Sequence, residues 1–315
     1  MRKLLLPALL LVLTPAALFG GSFGSQAKGT TAATFLELGV GGRAMGMGGA
    51  FTAVANDATA LYWNPAGLTA VEKRAATFMH AAYVESSYYD YGAYAQKLGE
   101  HGALGLGFQY LNAGAITQTD ANFNEMGSVT PNDLALSLGY ARKLEGLGPL
   151  ADGASIGVSA KFIRSTIIHT AQTTALDAGV LSPWLLGRKL RLGFAVTNVG
   201  GTLKYAETAE NLPLTFKAGA AYKPRERWTL SLDVAAPRDN APYAAAGTEY
   251  LFPVIGAWTF SGRMGYNSQT LGDVSGLSGY TLGVGFGAKT LNFDYAFSPM
   301  GGLGVTNRFS ASIKF

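Results

Sequence analysis

Few residues in this chain have the types and spacing that chemistry needs. Gly20-Gly21-Ser22-Phe23-Gly24 spells G-x-S-x-G, the pattern that raises a nucleophilic serine on a strand-to-helix elbow. Here it closes an apolar N-terminal run with no strand before it, so it reads as a chance match. The three histidines, His80, His101 and His169, have no metal-ligand spacing, and there is no cysteine to complete a set. The stretch from Gly39 to Gly49 is rich in glycine but lacks the Gly-Lys-Ser/Thr ending of a phosphate loop, and no βαβ pattern surrounds it. Tight packing is its expected role. No catalytic residue, metal site or cofactor is expected, and the chain reads as non-enzymatic.

Two other groups of residues are candidates for function. Asn64-Pro65-Ala66-Gly67 is the sharpest local feature. Pro65 fixes its own φ and keeps Asn64 out of the helical region, while Gly67 permits a positive φ. The motif reads either as a turn that seats an internal plug or as one that gates a lumen. Lys161, Lys217, Asp233, Arg263 and Asp294 each stand in the polar register of an alternating run. They could line a polar passage, bind a substrate, or pair with one another and with a plug. Plug contacts are the expectation, because a barrel wall tolerates charge on its lumen face and not on its lipid face.

The elements that would position these residues are strands. Phe309, Ala311, Ile313 and Phe315 alternate with Arg308, Ser310, Ser312 and Lys314, and Leu134, Leu136, Leu138 and Tyr140 with Ala135, Ser137 and Gly139. Turn signals divide 75–315 into about 14 such runs, among them 154–164, 212–222 and 305–315. A soluble sandwich would alternate too. Three features favour a membrane barrel: runs near the length that crosses a bilayer, aromatics near their ends, and a polar face of Gly, Ser and Thr. Only 14% of the residues are charged, against about 25% in soluble domains, and 42 are glycine. The fold class is therefore all-β, an antiparallel transmembrane β-barrel with a small N-terminal plug of short helices and coil.

Three segments follow. Residues 1–27 read as a signal peptide: Arg2 and Lys3, an apolar core over 4–13 broken by Pro7, and a small-x-small site at Ser25-Gln26-Ala27. The core is shorter than the ~20 residues of a spanning helix. Residues 28–74 form the plug, and 75–315 the barrel. Removing Arg2 and Lys3 lowers the formal charge from +4 to +2, and no Lys/Arg run offers a nucleic-acid surface. The expected location is the outer membrane, with its lipid and the barrel-assembly machinery as partners. Phe309, Ile313 and Phe315 on the last strand are the expected insertion signal, read as an open edge before the barrel closes. Loop lengths place 112–131, 200–211, 268–278 and 299–304 at the outer face, if the first strand runs outward.

The run Gly48-Gly49-Ala50-Phe51, then Asn56-Asp57, then Leu61-Tyr62-Trp63-Asn64-Pro65-Ala66-Gly67-Leu68 resembles the N-terminal region of the PorV/PorQ family, within the FadL-like group. Gly157 to Ile163, Val196 to Gly200, and Leu212 to Tyr222 resemble family strands in the same order. The resemblance implies a 14-stranded barrel with an N-terminal plug. It also implies a role in type IX secretion, with a translocon or cargo proteins as partners. The alternative it offers is a FadL-like transporter of hydrophobic molecules, with a hydrophobic ligand. An apolar lumen groove joined to a wall gap would favour transport. A plugged lumen with an exposed apolar patch at the outer rim would favour a protein partner.

Overall fold

The alternating runs close on themselves as one sheet. The structure, a computed structural model, describes residues 27–315 apart from 84–85, 147, 149–151, 206, 254–255, 257 and 271–275. Residues 1–26 of the expected signal peptide, and with them the Ser22 pattern, lie outside the described residues. Part of the expected outer loop 268–278 does too.

Fourteen strands form a closed barrel, each antiparallel to the next in sequence. They are β1 Arg74–Ala82, β2 Tyr88–Lys97, β3 Ala103–Asn112, β4 Asn132–Lys143, β5 Ser155–Thr166, β6 Thr170–Leu181 and β7 Leu190–Gly200. The circuit continues with β8 Thr215–Arg225, β9 Trp228–Pro237, β10 Tyr243–Pro253, β11 Trp258–Asn267, β12 Tyr280–Ala288, β13 Leu291–Pro299 and β14 Val305–Lys314. β14 returns to β1 from Ala75 opposite Lys314 to Ala82 opposite Asn307. Closure satisfies the backbone polar groups that an open edge would expose to lipid.

The side chains explain why this sheet belongs in a bilayer. On β5, Ser155, Ser159, Lys161, Ile163 and Ser165 are buried inside, while Ile156, Val158 and Phe162 are exposed outside. Small and charged residues face in and large apolar ones face out, the reverse of a soluble barrel. Aromatics gather at both ends of the wall. Trp258 stacks on Phe286 at 4.8 Å at one end, and Tyr266 meets Tyr280 at 4.9 Å at the other.

Three segments differ from the sequence expectation. The outer loops 112–131 and 200–211 are not plain loops: each carries a small hairpin, Ile116–Thr119 with Glu125–Val129 and Thr202–Lys204 with Ala209–Asn211. These strands are too short to announce themselves by periodicity. The strand expected over 212–222 starts at Thr215 and runs to Arg225. Pro213 has no N–H for a ladder, and its carbonyl instead accepts from Asn198 Nδ2 and Thr215 Oγ1.

The interior is filled by the chain that precedes β1. It holds a 3-10 turn at Thr34–Glu37, α1 at Gly42–Gly46, α2 at Ala60–Trp63 and a 3-10 turn at Pro65–Ala70. None is long enough to be stable alone, and the wall supplies the burial. Val40, Met47, Phe51, Ala53, Ala55 and Leu68 are fully buried. The wall receives this segment through inward-facing glycines. At Gly157 a Cβ would overlap the backbone of Pro65 and Ala66, at Gly179 the Asn64 side chain, and at Gly265 the backbone of Met47 and Gly48. Gly157 pairs with Gly179, and Gly247 with Gly265, so the bare patches extend across neighbouring strands.

Candidate functional site

At the end of α2 the backbone turns extended at Asn64, φ −163° and ψ 103°, and Pro65 opens the next 3-10 turn. The Asn64 side chain works in two directions. Its Oδ1 accepts from Ala66 N at 3.2 Å, capping the turn. Its Nδ2 donates to Thr52 O at 3.0 Å and to the wall carbonyl of Val180 at 3.2 Å. Gly67 departs from the expectation, since it does not adopt a positive φ. Glycine is needed there because a Cβ would overlap the Ala55 carbonyl.

All five expected lumen charges face inward, but they divide among three settings. Arg263 and Asp294 belong to a chain of ion pairs that joins wall to plug. Arg263 Nη1 donates to Asp294 at 2.7 Å and its Nε to Glu249 at 2.8 Å. Glu249 also receives two hydrogen bonds of 2.8 Å from Arg43 on α1. Arg43 reaches Asn56 at 2.6 Å and Asp57 at 3.3 Å within the plug. A buried charge without a partner is costly, and here each has one.

Lys161 is held within the wall, 2.8 Å from Asp177 and 2.7 Å from Asn198 Oδ1. This cluster fills a bulge where the register between β6 and β7 shifts, with Asn198 at φ 62° donating its N–H to Asp177. The buried Asp177 carboxylate stands in for the interrupted ladder.

Lys217 and Asp233 lie at one end of the plug. Asp233 Oδ2 accepts from Thr52 N at 2.8 Å. The Lys217 ammonium sits 5.4 Å from the ring centres of both Tyr62 and Trp63, a cation–π arrangement. Among the described residues these ring contacts are its partners, with no hydrogen bond or ion pair. Both residues line a chamber of about 420 Å³ above the plug, together with Glu37, Tyr243 and Arg308. Burial raises the Glu37 carboxyl from 4.5 to about 7, and nearby Asp239 adds to the rise. Lys217 and the Thr215 hydroxyl oppose it.

At the closing seam, Phe309, Ile313 and Phe315 point outward and are exposed. Phe315 exchanges two backbone hydrogen bonds with Arg74, of 3.0 and 3.1 Å, so the last residue finishes the β1–β14 ladder. The histidines lie apart. His80 faces outward on β1 and pairs with Asp90 at 2.7 Å, and His101 and His169 sit in turns. No group of three or more metal-ligating side chains occurs among the described residues.

Arg43, Glu249, Asp177 and Glu37 carry much of this interior and escaped the sequence reading. Glu249 and Asp177 did leave a signal, an acidic residue in the polar register of a strand. Arg43 and Glu37 lie in plug segments that have no period to read.

Residues 23–183, about half of the chain, match the family described as type IX secretion system protein PorV. Among solved structures, the barrel is similar to the toluene transporter TbuX of Ralstonia pickettii, with TM-score 0.56 and 14% identity over 88% of this chain and 98% of that one. It is also similar to a FadL homologue of Pseudomonas aeruginosa, with TM-score 0.53 and 14% identity over 91% and 98%. The toluene transporter TodX of Pseudomonas putida gives TM-score 0.55 and 13% identity over 87% and 97%. At these identities the likeness is one of fold. No curated protein sequence matches the chain significantly.

Proposed function

We infer function from the premise that this chain belongs to the PorV family and folds as an outer-membrane β-barrel. We propose that it is a non-enzymatic component of protein export and surface delivery, of the type IX kind. Its outer rim would engage a translocon or cargo protein while its lumen stays shut.

The observation that carries this reading is an apolar crest above a plugged barrel. The hairpin in the 113–131 loop exposes Ile116, Met126 and Phe123, the last 87% accessible at its tip. Phe123 adopts φ 63°, costly for a large side chain. Asp120 holds the turn around it, accepting from Asn122 N and from Asn124 N and Nδ2. Ile167 and Ile168 are exposed in the turn between β5 and β6. Apolar side chains fixed in a rigid shape and facing water have the character of a protein-binding site.

The second reading, transport of hydrophobic molecules, draws on the fold shared with toluene transporters. One feature favours it: an apolar groove of about 680 Å³ on the lipid side, lined by Leu106, Leu136, Leu138, Phe162, Leu176 and Val199. Behind that groove, however, lies the buried Lys161–Asp177 pair, a charged lining that does not suit a hydrocarbon.

Replacing Phe123 and Met126 together by Asp tests the export reading in the native host. Surface delivery of secreted proteins should fall while the barrel itself is inserted at the normal level. Normal delivery would remove the crest from the account.

A further inference from the structure

The chamber above the plug has a lining that neither export nor hydrocarbon passage explains. Its floor is aromatic, formed by Tyr62 and Trp63, and Tyr83 and Tyr243 stand in its sides. Three cations line it, Lys28 ahead of the plug's first turn, Lys217 on β8 and Arg308 on β14. At 420 Å³ it falls in the size range of small-molecule sites.

The polar groups around it are unevenly satisfied. The two lining acids have donors, Asp233 from Thr52 N and Glu37 from Thr215 Oγ1, while Asp239, outside the lining, accepts from Thr31 Oγ1 and keeps its Oδ1 buried without a partner. The free oxygen of Asp233 lies against the wall, where a Cβ on Gly219 would overlap it. Two of the cations, Lys217 and Arg308, are less well served. Lys217 rests on two aromatic rings with no acceptor for its three N–H groups among the described residues. Arg308 donates to Ser298, Leu38 O and Tyr83 OH, yet its Nε is buried without a partner. What Lys217 lacks is a hydrogen-bond acceptor among the described residues. A neutral hydrocarbon filling it would strip water from Lys217 and offer nothing in return.

We propose that this chamber binds a small organic anion with a planar apolar body. Its anionic group accepts from Lys217, and its body packs against the tyrosine rings. The site is built between wall and plug, so it exists only when the plug is seated.

Titration calorimetry on the purified full-length barrel in detergent tests this with three probes of nearly equal shape: benzoate, toluene and benzylamine. Benzoate should bind saturably, at least about tenfold tighter than either of the others, the scale of a hydrogen bond to a charged group. Lys217→Gln should lose that preference and Lys217→Arg should keep it, with heat-modifiable gel migration showing that each variant is folded. The proposal is overturned if benzoate gives no saturable heat, if toluene binds as well, or if folded Lys217→Gln retains the preference.

Discussion

Arg43 of the plug and Glu249 of the wall meet through two parallel hydrogen bonds of 2.8 Å, with Glu249 almost fully buried. This fork-to-fork contact fixes both distance and orientation. Glu249 also holds Arg263, so one carboxylate serves a guanidinium from each side of the plug–wall boundary.

Glu249→Ala should therefore leave one buried guanidinium, Arg263, and one partly buried, Arg43, short of a partner, at a cost of about 3 kcal/mol. The barrel should still form, since its ladder does not depend on this side chain, but the plug should loosen. In planar bilayers the wild-type protein should be closed and the variant should show openings. A variant as silent as the wild type would show that the latch is dispensable.

The glycine seat makes a steric prediction. Gly157→Val places a side chain where Pro65 and Ala66 now lie, and should reduce assembled, heat-modifiable barrel severalfold. Gly302→Ala is the control, because nothing lies within 4 Å of the added Cβ. Equal assembly of the two would mean that the plug does not need this close approach.

Glu37 predicts the sign of a pH effect. Its carboxyl titrates near 7 in the folded protein instead of 4.5, so between those values the folded state binds more protons than the unfolded one. Its contribution must fall as pH rises from about 4.5 through 7. The groups that face it are Asp239, Lys217, Thr215, Tyr62 and Tyr243. Glu37→Gln should flatten this part of the stability profile, measured as the unfolding midpoint at pH 5 and pH 8. An unchanged profile would place the titration elsewhere.

Deleting Phe315 removes both hydrogen bonds to Arg74 and an exposed aromatic from the closing strand. Membrane assembly should drop, seen as less protease-protected barrel at the cell surface. Normal surface levels would refute its role as an insertion signal.

Much of the wall was legible because the period of two is strict. Leu134, Leu136 and Leu138 against Ala135, Ser137 and Gly139 place β4 almost to the residue. The break at Pro213 was harder to see, since the pattern of Leu212 and Leu214 continues across it, and only the partner Asn198 reveals where the carbonyl goes. Gly67 does not take the positive φ expected of it but meets the Ala55 carbonyl instead, because sequence cannot distinguish a glycine needed for φ from one needed for space. The Arg43–Glu249 contact joins residues 206 positions apart, and nothing local in either segment points to the other.

The most direct test of the central claim is a photo-reactive residue at position 123, cross-linked in native outer membranes and read by mass spectrometry of proteins and bound lipids. The account predicts a defined adduct with a large translocon component or with secreted proteins sharing a C-terminal domain. Recovery of the barrel alone, carrying a hydrophobic ligand, would contradict it and establish the transporter reading instead.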